Sequence, residues 1–351
     1  MLQCCYRSRE RSRIEKGWPV ADRVTISDVA REAGVSRMTV SRVINDKGEI
    51  SPSTRQRVLD VIERLGYCPS SIARGLATQR TGTLGLVVPD IANPFFSEVA
   101  RGAEDRASAA NHNVFVCNTD ESPQNELVIL EALEKKRVDG LVLCSSRLPD
   151  DELCAALKHH PAVVLVNRWL AAAGGVIRLA DQEGARVATE HLVQTGHRAV
   201  GLLAGPLTSY SGQQRSVGYR AALAAAGIPY TPAWDRSCSS QVEGGKVTAL
   251  ALLSDHPEVT ALFCYNDLVA VGALLACVEL GRHVPEDLAI VGFDDIPLAA
   301  LVTPALTTCR VPRHELGAQA MQLLLDRIDG CTEACQEIVL QTELIVRASA
   351  P

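Results

Sequence analysis

The sequence contains no apolar run near the ~18 residues needed to cross a bilayer as a helix, so it does not read as an integral membrane protein. Its first stretch, MLQCCYRSRERSRIEKGW, is basic but lacks the apolar core of a secretory signal. That stretch reads equally well as a disordered arm or as a start placed upstream of the true one. Aromatic residues make up only 4% of the chain, yet 47% hydrophobic and 22% charged residues suit a soluble globular protein with a large core. Catalytic signatures are missing as well. There is no G-x-x-x-x-G-K-S/T phosphate loop, no G-x-G-x-x-G after the first expected strand, no G-x-S-x-G elbow and no H-E-x-x-H metal helix. The eight histidines are dispersed, and His159–His160 reads as a solvated pair on a short helix. We therefore expect no enzyme, no cofactor and no metal site.

Twelve cysteines would frame disulfides in a small secreted chain. Here they are scattered through a long one, several inside apolar runs (Cys117, Cys144, Cys264, Cys277), and read as buried reduced thiols acting as small hydrophobes. Cys331 and Cys335 have no second ligand pair or nearby histidine, which speaks against zinc.

What the chain does have is an uneven charge distribution. Residues 1–80 carry 15 Lys/Arg against 9 Asp/Glu, whereas residues 81–351 carry 20 against 32. A basic head on an acidic body points to a polyanionic partner for the head alone. A length of 351 residues implies two or three domains. From Thr83 onward, runs such as TLGLVVPD, NVFVCNTD, VDGLVLCSS, AVVLVNR, AVGLLAG, ALFCYND and LAIVGFDD alternate with amphipathic stretches. Runs that are apolar throughout predict strands buried on both faces of parallel sheets. Helices are expected at about 94–110, 123–136, 213–227, 266–281 and 314–330. The alternation implies α/β units in two sheets of five or six strands.

The head reads differently. Residues 26–33 form a short helix capped by Thr25 or Ser27, Gly34 supplies the left-handed turn, and Ser36 caps a second helix. Ala30, Gly34 and Val40 have the spacing of a helix-turn-helix: a small residue, a turn glycine, then an apolar residue in the second helix. Within VSRMTVSRVIN, Arg37, Met38, Ser41 and Arg42 share one face while Val40, Val43 and Ile44 take the other. The polar face lies near the helix end that enters the major groove in this motif, and arginine is well suited to bidentate contact with guanine. Two packed helices of any small bundle would show the same spacing. A third helix follows, with Ser51 as cap, Pro52 at its first position and Gly66 as terminator. The segment CPSSIARGLATQR predicts a fourth helix too short to stand alone.

Taken together, VTISDVAREAGVSRMTVSRVIN, ISPSTRQRVLDVIERLGYCPSSIARGLATQR, PDIANPFFSEVARG, QQRSVGYRAAL, YNDLVAVGALL, VPEDLAIVGFDD and TPALTTCRVP closely resemble the lactose-repressor (LacI/GalR) family. The resemblance runs from about Val24 to the C-terminus. It implies an all-α helix-turn-helix headpiece with a hinge helix, joined to an α/β two-lobed effector domain like that of periplasmic binding proteins. The corresponding boundaries are 1–23 for the arm, 24–68 for the headpiece, 69–80 for the hinge and 81–351 for the body. Lobe 1 takes about 81–195 and 313–340; lobe 2 takes 196–312 and 341–351.

By the same resemblance, DNA contacts are expected from Thr25, Ser36, Arg37, Met38, Thr39, Ser41, Arg42 and Asn45, and from Ser70, Ala73, Arg74 and Leu76 in the hinge. Leu76 aligns with a leucine wedged into a minor-groove step; such a wedge unstacks the step and kinks the duplex. Effector contacts are expected from Phe95, Phe96, Arg168, Ser211, Arg215, Asn266 and Asp294, with one of Asp294 and Asp295 in the pocket and the other structural. One departure stands out: Ser239 aligns where several members carry an aromatic lid. The implied function is a cytoplasmic homodimeric or tetrameric transcriptional regulator, a repressor by default. It would bind a pseudo-palindromic double-stranded operator under the control of a small metabolite such as a sugar. A solute-binding protein or an α/β enzyme sharing the body fold are the alternatives.

Overall fold

The computed structural model describes residues 24–45, 48–67, 80–170, 174–330 and 336–351. These fall into two compact units that divide between residues 79 and 80. The expected hinge contacts Ser70, Ala73, Arg74 and Leu76, the arm, and Cys331 and Cys335 lie outside the described residues.

The head consists of α1 (Ile26–Ala33), α2 (Arg37–Ile44) and α3 (Pro52–Leu65). Thr25 and Asp28 secure the start of α1, because the backbone N–H and hydroxyl of Thr25 both donate to the Asp28 carboxylate. Gly34 adopts φ 64° and ends α1; the Val35 N–H then closes back on the Ala30 carbonyl at 3.0 Å. A β-carbon would make that left-handed conformation costly, so glycine fits the turn. Ser36 caps α2 by accepting the Thr39 N–H, and Ser51 caps α3 by accepting the Thr54 N–H. Val29, Ala30, Ala33, Val40, Val43, Val58 and Val61 form the small core, with Ile62 and Leu65 packed against it.

The body holds two six-stranded sheets. The first has strand order β11-β5-β4-β3-β1-β2, built from β1 (Thr83–Val88), β2 (Asn113–Asn118), β3 (Gly140–Cys144), β4 (Val163–Val166), β5 (Gly175–Leu179) and β11 (Gln336–Leu340). The second has order β12-β10-β9-β8-β6-β7, built from β6 (Val200–Gly205), β7 (Asp235–Ser237), β8 (Ala261–Cys264), β9 (Ala289–Asp294), β10 (Thr307–Arg310) and β12 (Glu343–Ile345). All strand pairs are parallel except β10 with β12. Around the sheets run α4 (Pro94–Ala109), α5 (Pro123–Lys135), α6 (Asp150–Leu157), α7 (Asp181–Gln194), α8 (Tyr210–Ala225), α9 (Val242–Asp255), α10 (Asp267–Leu280), α11 (Pro297–Leu301) and α12 (Arg313–Ile328). Helix α8 starts earlier than expected because Ser209 caps it, accepting the Gly212 N–H at 3.1 Å.

Three expectations need correction. The first crossing between lobes is not at residues 195–196 but before Asp181. Helix α7 packs on the second sheet: Gly184 lies against Phe293, the Cys309 thiol donates to the Gly184 carbonyl, and Gly218 of α8 sits against the α7 backbone. Glycine at 184 and 218 permits that approach, since a β-carbon at either would collide with these neighbours. The later crossings fall between β10 and α12 and between β11 and β12. Second, NVFVCNTD is not buried on both faces. As β2 it is the sheet edge, with Phe115 and Val116 exposed and Cys117 only part-buried, whereas Cys144, Cys264 and Cys277 are buried. Third, His160 is buried rather than solvated, and burial pushes its pKa down; its neighbour His159 is exposed.

Candidate nucleic-acid interface and ligand cleft

On the head, α2 buries Val40 and Val43 and turns its other side outward. Arg37, Met38 and Arg42 are exposed; Met38 is 65% exposed, an unusual degree for a large apolar side chain. Ser36 and Thr39 are tied to each other at 3.0 Å at the start of the helix, so their hydroxyls first serve the cap. At the other end the Asn45 amide donates to the Ser41 carbonyl and hydroxyl. The surface therefore presents two flexible guanidinium groups and a thioether between two hydrogen-bonded ends. Such a face can address phosphates and base edges together.

In the body, the C-terminal ends of the strands of both sheets converge on a small cavity of about 20 Å³. Ligand crevices of α/β sheets lie outside these strand ends. Five of the seven expected effector residues line it: Phe95, Phe96, Arg215, Asn266 and Asp294. Asn93 caps α4 by accepting the Phe95 N–H, which sets the two phenylalanine rings edge to face with centroids 4.9 Å apart. Asn266 caps α10, its side-chain oxygen accepting the Val269 N–H while its amide donates to the Ser240 carbonyl. That cap spends one end of the side chain on the fold.

Arg215 is the polar centre. Its Nε donates to Asp181 at 2.8 Å, Nη1 to the Tyr265 carbonyl, and Nη2 reaches Asp294 at 3.5 Å. The guanidinium also stacks on Phe293, 3.7 Å from the ring centroid, a cation–π contact. Burial works against its charge, but Asp181 and Asp294 outweigh burial and hold Arg215 protonated above its usual range. The two carboxylates carry the opposite burden. Burial raises Asp181 despite Arg215, and it pushes Asp294 up to about 7. Asp295 faces away, held by Arg310 at 2.8 Å and Arg347 at 2.7 Å.

Two expected residues are not brought to the cavity. Arg168 turns to the Leu148 carbonyl and to Asp150 at the start of α6, and Ser211 is buried in the first turn of α8. Residues not anticipated take part instead: Asn93, Glu121, Ser145, Ser240 and Tyr265. Each stands just past a strand end or at a helix start, and that position was a usable signal. Asp181 was missed for a different reason, because its helix was assigned to the wrong lobe.

A wider, more open cavity of about 480 Å³ adjoins the first through Glu121 and Ser240 and is lined also by Asp90, Asp120, Pro206, Ser239 and Gln241. Ser239 thus stands at this outer cavity without an aromatic ring. Hydrogen bonds cross the cleft from Ser240 to Glu121 at 3.0 Å and from the Gln241 amide to Asp90. Among the described residues no helix is long and apolar enough to cross a membrane, and no cluster of His, Cys, Asp and Glu has an arrangement that could hold a metal.

Comparison with known proteins agrees with both units. Residues 25–70 match the family model of bacterial regulatory proteins of the lacI family, and residues 81–348 match that of periplasmic binding proteins and the sugar-binding domain of the LacI family. The ribose operon repressor of Halalkalibacterium halodurans is 37% identical over 323 residues, covering 92% of this chain and 96% of the relative. A complex of the transcriptional regulator CelR with cellobiose is 34% identical with a TM-score of 0.72, covering 93% of this chain and 100% of its own. The lac repressor dimer bound to operator and an anti-inducer is 28% identical with a TM-score of 0.84, covering 93% of this chain and 99% of its own. With models matching the head and nearly the whole body, the chain belongs to the LacI family of bacterial regulatory proteins.

Proposed function

We propose that this protein is a sequence-specific DNA-binding transcriptional regulator, acting as a repressor, whose hold on its operator is set by a small sugar or sugar derivative in the cleft. The observation that carries this reading is the pairing, in one chain, of an outward α2 face with an inter-lobe cavity that holds aromatic walls and a buried arginine. Phe95 and Phe96 supply an apolar wall, while Arg215, Asn266 and Asp294 supply the few fixed polar groups that orient a small ligand. Arg37, Met38, Ser41 and Arg42 choose the site, with Thr25, Ser36, Thr39 and Asn45 positioning the helix on the backbone. In the hinge, Ser70, Ala73 and Arg74 contact the DNA and Leu76 wedges into a minor-groove step. The relatives regulate transcription, and the CelR neighbour carries a sugar. We extend this to a non-enzymatic, cytoplasmic role for the present chain.

A two-fold dimer, as in the lac repressor neighbour, requires an operator with two half-sites. Effector control needs the ligand to favour one lobe arrangement; couplings of ~1–3 kcal/mol are typical. Selection of bound DNA from a random pool, followed by a metabolite screen for release, tests the reading. Enrichment of an inverted repeat that a sugar releases supports it. Absence of any enriched sequence overturns it.

A further inference from the structure

Arg147, just beyond the end of β3, is not among the residues expected to bind effector, yet its side chain is only 2% exposed. Its Nε donates to Glu121 at 2.6 Å, and its guanidinium also interacts with the side chain of Tyr265 from the opposite lobe. Such a buried, charge-assisted bond fixes the Glu121 carboxylate in place. Glu121 lies where the inner and outer cavities join. One of its oxygens accepts from Arg147 and the other from Ser240 of the opposite lobe. An ionised carboxylate has about four lone-pair positions, so roughly two remain open. Glu121, held in this way, presents open acceptor positions at the junction of the cavities, and a sugar hydroxyl, which donates, satisfies them.

The charges around the cleft narrow the ligand further. Arg215 is matched by Asp181 and Asp294, Arg147 by Glu121, and Arg168 by Asp150. The outer cavity adds Asp90 and Asp120. A phosphate or carboxylate entering here meets carboxylates and no unmatched cation in the lining; a neutral polyol meets no such repulsion.

We propose that Glu121, clamped by Arg147, is a further effector-binding residue that takes a hydroxyl of an uncharged sugar at the junction of the two cavities. This inference rests on the sugar-controlled reading above and sharpens it by excluding sugar phosphates and sugar acids.

The test uses the full chain in calorimetric titrations with neutral mono- and disaccharides, headed by ribose and cellobiose, and with the phosphate ester of each sugar that binds. A neutral sugar should bind at least about tenfold more tightly than its phosphate. Glu121→Gln should weaken the neutral sugar roughly ten- to hundredfold, as loss of a charge-assisted hydrogen bond implies. Ser240→Ala, which removes the Ser240–Glu121 bond, should cost less than Glu121→Gln. Equal losses in the two variants, or an unchanged affinity in Glu121→Gln, overturn the proposal by reducing Glu121 to a latch or a bystander. The comparison of sugar with phosphate needs no variant, so it stands even where a substitution impairs folding. A tighter phosphate overturns the proposal while leaving sugar control intact. Binding by neither class overturns the sugar reading itself.

Discussion

Replacing Asp294 by asparagine should flatten the dependence of stability on pH. Asp294 ends β9 inside the cleft, 5% exposed, and burial pushes its carboxyl up to about 7 from an ordinary 3.8. Arg215 pulls back against burial, and Asp181 adds repulsion. Between these two values the folded protein keeps a proton that the unfolded chain has released. Folding then takes up a proton, so stability falls as pH rises through the window: the contribution is full below the unfolded value and gone above about 7. Roughly three units at ~1.4 kcal/mol each make it about 4 kcal/mol. Asp181, Asp294 and Arg215 titrate as one cluster, so the informative quantity is the difference between wild type and variant. Urea denaturation at several pH values between about 4 and 8 measures it. The wild type should lose stability relative to Asp294→Asn by up to those few kcal/mol as pH rises. Parallel curves for the two proteins would refute a buried, proton-holding Asp294.

Other perturbations separate the parts of the molecule. Arg42→Ala should cost about 1–3 kcal/mol at specific sites and relax preference at one base position; equal weakening on random DNA, read by fluorescence anisotropy, would deny it a base-reading role. Arg215→Ala leaves Asp181 and Asp294 buried without their cation, so about 3–5 kcal/mol of stability and the effector response should go while operator affinity survives; a normal dose response would remove Arg215 from the site. Gly34→Ala forces a β-carbon into φ 64° and should cost about 1–2 kcal/mol in the melting of the head; an unchanged midpoint would show that the turn is not constrained. Leu76→Ala should reduce operator bending in a circular-permutation gel assay with effector affinity unchanged.

The sequence made the head legible because its signals are local. Ser36, Gly34 and Ser51 sit where caps and turns demand particular side chains, and the valines follow helical spacing. The body strands were visible as apolar runs wherever both faces are covered, as in β3 and β9. Strand β2 misled for the converse reason: being apolar does not tell an edge from a centre. The short β7, β10 and β12 carry too few residues for any period to show. In the cleft, residues inside conspicuous motifs were found; Glu121 and Ser240 lie at strand ends that mark the cleft, but their pairing at 3.0 Å becomes visible only when the two lobes come together. Arg168 shows the reverse failure: its place at a strand end was right, but Asp150 and the Leu148 carbonyl draw its guanidinium elsewhere.

The most direct measurement is the affinity of the full chain for a selected inverted-repeat DNA, with and without a saturating sugar that binds the cleft. Coupling between head and cleft predicts that the sugar changes operator affinity about 5- to 150-fold, and that Arg215→Ala abolishes the change. Superimposable DNA-binding curves in the presence and absence of a sugar that demonstrably occupies the cleft would contradict it.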